Sequence, residues 1–308
     1  MSGNSSNAQA YSGKIARKRN KKGTIGDTVI LVVLSIVSIL SLGPIWHTFA
    51  LSFSSSVASN AGRVGMWPVD FNMNSYNLVI GDKEFFLAFW VSIKRVLLGG
   101  IVNFALTILV AFPLSRTTKE FKLRNLFMWF LVFTMLFKSS LIPLYLTVQN
   151  LGMLNSIWSL VLPVAVPVFN VILLMNFFRS IPKELDQAAE IDGAGPWYLM
   201  LGIYVPLAVP ALATVTLFSL VTHWNSFLDG LVFMSKTENY PLQTYIQQLV
   251  VQVDLSKVTG EEAAKLSQIS NKTLNAAKII VSMIPIVAVY PFIQRFFIHG
   301  IMIGSVKE

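Results

Sequence analysis

The 308-residue chain contains no cysteine and only three histidines, His47, His223 and His299, far apart in sequence. Disulfide frameworks, thiol nucleophiles and Cys-ligated metals are excluded, and no histidine stands at a ligand spacing, so no metal site is expected. Charge is scarce as well. Asp, Glu, Lys and Arg make up 13% of residues, against about a quarter in a soluble domain. Acids are the scarcer sign, 15 against 24 Lys and Arg. There is no glycine-rich phosphate loop, no Ser/His/Asp set, no basic-aromatic nucleic-acid surface and no internal repeat. No catalytic residue is expected, which argues against bond-breaking chemistry and nucleic-acid binding.

What is present is apolar surface, 54% of the residues, in blocks near the roughly 20 residues that cross a bilayer. The pattern predicts an all-α membrane protein with six spans, at 29–51, 91–114, 126–146, 157–178, 205–227 and 276–297. The first block follows basic residues but exceeds a signal h-region of roughly 7–15 residues, so it is expected to be an uncleaved span. Arg116, Lys119, Lys122 and Arg124 crowd one short loop, whereas the loop at 147–156 holds no charge. The positive-inside rule then puts both termini, the 115–125 loop and the acid-rich segment at 180–203 in the cytoplasm. The net charge of +9 is read as topology. Residues 1–24, polar and then basic, predict a disordered cytoplasmic tail ahead of a membrane domain at 25–308. The segments at 52–85 and 229–275 are expected outside. Leu242, Tyr245, Ile246 and Leu249 recur at helical spacing, and Thr259 with Glu262 forms a capping box, so 229–275 predicts an amphipathic cap over the outer mouth.

Four of the acids, Glu184, Asp186, Glu190 and Asp192, crowd between two apolar blocks. Ser180 can cap a helix there, Pro182 suits its first turn and Gly193 can end it, predicting about three turns. Leu185, Ala188, Ala189 and Asp192 then share one narrow, small-sided face. An interfacial helix would carry Lys or Arg on its polar face. Acids beside alanines point instead to docking on a soluble partner. Pro196 can open a second helix running toward Pro206.

Gln187-Ala188-Ala189, then Gly193, then Ile203-Tyr204-Val205-Pro206 resembles the EAA signature of ABC importer permeases. The spacing matches throughout. The flanking "PKELDQAAEIDGA" and "VPLAVPALATV", the "PLSR" at 113–116, the "HWNSF" at 223–227 and the tail "HGIMIGSVKE" resemble the carbohydrate-uptake, maltose-permease (MalG) type. Within it the chain resembles subunits that import complex oligosaccharides, uronate chains included. Gln187 stands where the signature has Glu, removing a charge that Glu184 or Glu190 could replace, and Val205 stands for Leu.

The resemblance implies a type I importer fold in a prokaryotic plasma membrane. This chain would pair with a second homologous permease, as a heterodimer. Two ATPase subunits would bind ATP and Mg, this chain holding no cofactor, and an extracellular binding protein would deliver the oligosaccharide. It implies a coupling helix through Glu184, Leu185, Gln187, Ala188, Ala189, Glu190, Asp192 and Gly193, and an ATPase-facing tail with Gly304 and Val306. Candidates for the sugar path are the polar and aromatic groups inside or beside spans: Lys138, Asn170, Trp224, Asn225 and Tyr290, with His223 at the same outer end. Lys94, Arg95 and Lys138 have no acid within any span to pair with. They are read as snorkelling or as cavity cations suited to an anionic sugar. An ABC permease for another small solute is the alternative. A secondary transporter would need intramembrane acids, and none falls inside the six spans.

Overall fold

The computed structural model describes residues 25–137, 139–251 and 271–305. The expected tail at 1–24, Lys138, the capping box at Thr259 and Glu262, and Val306 lie outside the described residues. The chain divides into two compact units, 1–48 and 49–308.

The first unit holds most of helix α1 (Ile25–Ser52), whose second unit share begins at Phe49. Between residues 25 and 48 it is mostly apolar, and three of its hydroxyls find partners on the helix's own backbone. Ser38, Ser41 and Thr48 each donate to the carbonyl four residues back, at 2.8 Å. That is how a polar group is tolerated in hydrocarbon, where no water can satisfy it.

In the second unit follow α2 (Ser56–Asn60), α3 (Asn74–Gly81), α4 (Lys83–Ser115), α5 (Arg124–Leu136), α6 (Leu141–Asn150), α7 (Ile157–Val164) and α8 (Val168–Ser180). Then come α9 (Glu184–Ile191), α10 (Pro196–Leu207), α11 (Val209–Asn225), α12 (Leu228–Phe233), α13 (Leu242–Val251) and α14 (Asn271–Ser305). Among the described residues there is no strand.

Of the six predicted spans, α1, α4 and α14 are single helices, while α5–α6, α7–α8 and α10–α11 are bent pairs. Proline explains two of the bends. Pro163 and Pro167 flank a 47° bend between α7 and α8, and Pro206 and Pro210 an 84° bend at Ala208. A proline lacks the N–H for the helical ladder and crowds the turn before it. The predicted fifth span thus does not begin at Val205: residues 205–207 belong to α10, which carries a π-helical turn at Leu199–Tyr204.

Helix α4 is the spine, packed on α11 and α8. It threads two apolar cores. Its second half joins Ile108, Phe112 and Leu114 to Leu174 and Phe178 of α8 and Met200 and Tyr204 of α10. Its first half joins Phe85 and Ala88 to Trp224, Phe233, Leu242 and Tyr245. Between them Gly99 and Gly100 let α11 close in. A Cβ on Gly99 would run into the His223 ring, and one on Gly100 would lie 2.7 Å from Leu220 Cδ2. Small residues at such crossings give the close packing that membrane helices depend on. As expected from its spacing, α13 buries Leu242, Tyr245 and Ile246.

Candidate functional site

Helix α9 begins later than expected. Ser180 is the last residue of α8, and its Oγ donates to the Phe177 carbonyl at 2.7 Å rather than capping a new helix. Ile181, which precedes Pro182, is extended (φ −70°, ψ 132°), as residues before proline are. The helix therefore spans Glu184–Ile191, about two turns, with Lys183 at its N-cap and Glu184 and Asp186 in the first turn. Acids there suit the positive end of the helix dipole.

The other end matches the expectation for Gly193. Its φ is 77°, its N–H donates to the Glu190 carbonyl at 3.0 Å, and the Ala194 N–H donates to the Ala189 carbonyl at 2.9 Å. This pair of bonds is a Schellman motif, whose left-handed residue is nearly always glycine. A Cβ on Gly193 would meet open space, so the constraint is the backbone angle and not a clash.

The shared face expected for Leu185, Ala188, Ala189 and Asp192 is divided. Ala189 is buried with Leu199 and Met200, whereas Leu185, Ala188 and Asp192 are exposed. The outward apolar residues are Leu185, Ala188 and Ile191, the last 86% exposed. Gln187, Glu184 and Glu190 are exposed around them. Beside them α10 exposes Trp197, Tyr198 and Leu201. Periodicity alone placed both alanines outward because it could not show which side α10 covers.

Asp186 turns inward, 9% exposed. Its Oδ2 accepts from Arg116 Nη1 at 2.6 Å and from the Tyr204 hydroxyl at 2.9 Å. The Arg116 guanidinium carbon lies 4.3 Å from the Phe112 ring centre and 4.5 Å from that of Tyr204. Arg124 and Arg179 both donate to the Leu114 carbonyl, at 3.0 and 3.1 Å, closing the C-terminal end of α4 with positive charge. A cleft of about 460 Å³ opens among Arg116, Arg124, Arg179, Lys183, Asp186 and Tyr204. Sequence reading missed Arg116 and Tyr204 as parts of this site. The available signal was the one acid of α9 with Ala189 three residues on, on the side that packs.

The described residues proposed for a sugar path differ in their settings. Asn170 is buried, and its Nδ2 donates to the Val215 carbonyl and Ser219 Oγ, both at 3.0 Å, tying α8 to α11. Trp224 is buried with its ring edge-to-face on Phe89, whereas its neighbour Asn225 is exposed at the end of α11. Tyr290 is 54% exposed on α14. Gly304 lies in the last turn of that helix. His223 is buried over Gly99.

Arg95 does have an acid partner. It is buried, its Nη1 donates to Asp229 Oδ1 at 3.1 Å, and its Nη2 bonds Asp229 Oδ2. Asp229 lies just beyond the span, on α12, so a search inside spans could not find it. Lys94 is exposed. A third ion pair also escaped the sequence reading. Lys278 Nζ donates to Asp82 Oδ2 at 2.7 Å and to the Tyr245 hydroxyl at 3.1 Å, and Tyr245 donates to the same Asp82 oxygen at 2.8 Å. Burial pushes the Asp82 carboxyl up, but the hydrogen bonds from Lys278, Tyr245 and the Phe85 N–H outweigh it and hold it below its ordinary value.

Residues 86–303 match the family described as the binding-protein-dependent transport system inner membrane component. The chain belongs to this family. The permease is 33% identical over 286 residues to the polygalacturonan/rhamnogalacturonan transport system permease protein YtcP of Bacillus subtilis (strain 168), covering 93% of this chain and 99% of that one. To protein LplC of the same organism it is 33% identical over 287 residues, covering 93% and 96%. Its fold matches a chain in the crystal structure of a bacterial ABC transporter involved in the import of the acidic polysaccharide alginate. The TM-score is 0.81 at 33% identity, over 89% of this chain and 96% of that one. The permease is thus a multi-pass, all-α membrane protein of ABC importer fold, and ATP hydrolysis belongs to separate subunits.

Proposed function

We propose that the permease is one half of the membrane channel of an ATP-driven importer for uronic-acid-containing oligosaccharides. The observation that carries the substrate class is the agreement of two relatives of near full length. One is named for polygalacturonan and rhamnogalacturonan and the other for alginate, which is also acidic, at the same 33% identity. In this reading a second permease completes the path, as a heterodimer, in a prokaryotic plasma membrane. An extracellular binding protein delivers the sugar, and two cytoplasmic ATPases hold ATP and Mg.

Helix α9 is the coupling element. Its exposed Leu185, Ala188 and Ile191 offer apolar area to a cleft on an ATPase, and Glu184, Gln187 and Glu190 rim that patch. The Schellman turn at Gly193 fixes the angle at which α9 leaves toward α10. Both termini face the cytoplasm in this arrangement, with the Gly304–Val306 tail reaching toward the ATPases.

Arg95 is set aside as an anion contact, because Asp229 neutralises it. Lys94 and Lys138 remain the candidate cations of the path, with Asn225 and Tyr290 as its exposed polar and aromatic groups. The test is uptake by the full complex in vesicles with its binding protein. Oligogalacturonides should be imported and should compete with alginate oligosaccharides, whereas neutral oligosaccharides of the same length should not. Import of the neutral chains alone would overturn the substrate class.

A further inference from the structure

We propose that Arg116 and Asp186 form a two-position latch, held by one carboxylate oxygen in this conformation and closing to a two-oxygen fork when the ATPases drive α9 inward. The proposal rests on α9 being the coupling helix. It goes beyond that reading by assigning the contact through which α9 moves the membrane helices.

The geometry at the pair is lopsided. Oδ2 of Asp186 takes both donors, Arg116 Nη1 at 2.6 Å and the Tyr204 hydroxyl at 2.9 Å. Oδ1 of Asp186 and Nη2 of Arg116 are buried and have no hydrogen-bond partner among the described residues. One acceptor is thus doubly used while a matching donor and acceptor beside it stay unmade. Leaving such groups unpaired out of water is unfavourable, and an Arg–carboxylate pair has a parallel arrangement that satisfies both.

The surroundings permit the change. The Phe112 and Tyr204 rings hold the guanidinium carbon, but not which nitrogen meets the carboxylate. The cleft of about 460 Å³ beside the pair leaves α9 room to move. Either side of α9 the chain is irregular, at 181–183 and 192–195. Backbone contact carries a push on α9 toward α10 through the Gly193 turn, whereas toward α4 the route is the Asp186 side chain. Arg116 directly follows α4, so a closed fork would make α9 and the long spine move together.

A static tie and a closing fork predict different results for Arg116→Lys. An ammonium can keep the single contact seen here but cannot make two parallel ones. In the assembled complex, Arg116→Lys should lower sugar imported per ATP hydrolysed by roughly tenfold, within the range of a lost coupling contact. The Asp186→Asn variant should show a similar loss, with no further loss in the double variant. A wild-type ratio in Arg116→Lys overturns the latch.

A second measurement does not depend on the substituted pair. The chain has no cysteine, so spin labels on Asp192→Cys and Lys119→Cys mark only those two exposed sites on it. A non-hydrolysable ATP analogue should shorten the distance between them in the full complex, and an unchanged distance overturns the latch. That measurement needs nucleotide but no sugar. If the wild-type complex imported no uronide, the substrate reading would fail while the distance still decided the latch.

Discussion

Two arginines, Arg95 within helix α4 and Arg116 just after its end, are each paired with an aspartate from another element, and the two pairs are built differently. At Arg95 both guanidinium nitrogens meet both oxygens of Asp229, and Ser226 adds a carbonyl at 3.3 Å. At Arg116 one oxygen of Asp186 serves two donors and its partner oxygen serves none. The Arg95 end is also supported by the Asp82–Lys278–Tyr245 clasp, which joins the start of α4 to α13 and α14. The lesson is that at one end of the spine both oxygens of the carboxylate are used by its arginine, although Arg95 Nε has no partner among the described residues. The other end, beside the helix proposed to meet the ATPases, keeps hydrogen-bonding capacity in reserve.

If the Arg95 end is fixed by its fork, breaking that fork should have the largest effect on stability. Asp229→Ala leaves Arg95, 1% exposed, without its counter-charge, which costs about 4 kcal/mol when one partner of a buried pair is removed. The expected outcome is a sharp loss of assembled complex in thermal unfolding and membrane yield. Trp224→Ala comes next, at about 3 kcal/mol for a buried aromatic in this core. If Trp224 acts only by packing on Phe89, uptake normalised to assembled complex should stay near the wild-type value. A fall in that ratio would return Trp224 to the sugar path.

At the other end Gly193→Val should cost about 1–2 kcal/mol, the strain of a left-handed angle on a residue with a Cβ. The effect should be local, lowering uptake per complex while the melting temperature of the transmembrane core is nearly unchanged. The smallest effect is expected from acid. The Asp82 carboxyl is held below its ordinary value of 3.8. The clasp therefore contributes fully above that value and weakens as pH falls through it toward the lower folded value. Thermal stability should be flat down to about pH 4 and fall below it, and Asp82→Asn should flatten that acid limb.

The spans, the loop charges and the glycine stop of α9 were legible because each depends on local chemistry: run length, charge and one required backbone angle. What escaped the reading depends on distant partners. Arg95 and Asp229 are 134 positions apart, and Lys278 and Asp82 are 196 apart. No periodicity within a helix shows such a pairing, and restricting the search to acids inside spans hid both. Asn170 was singled out correctly as a costly polar group, but the groups that satisfy it, the Val215 carbonyl and Ser219, are visible only once α8 lies on α11. The proline bends shifted the start of the fifth span because apolar run length does not register a change of direction.

The 84° bend at Ala208 makes α10 a crank on the shaft of α11. Its twelve residues give an arm of about 18 Å. A tangential push of about 5 Å at the far end of that arm would turn the shaft by roughly 16°. Torque, rather than a straight shove, is then what α11 receives, and a helix rotating about its own axis changes which side chains line a channel without having to slide through the bilayer.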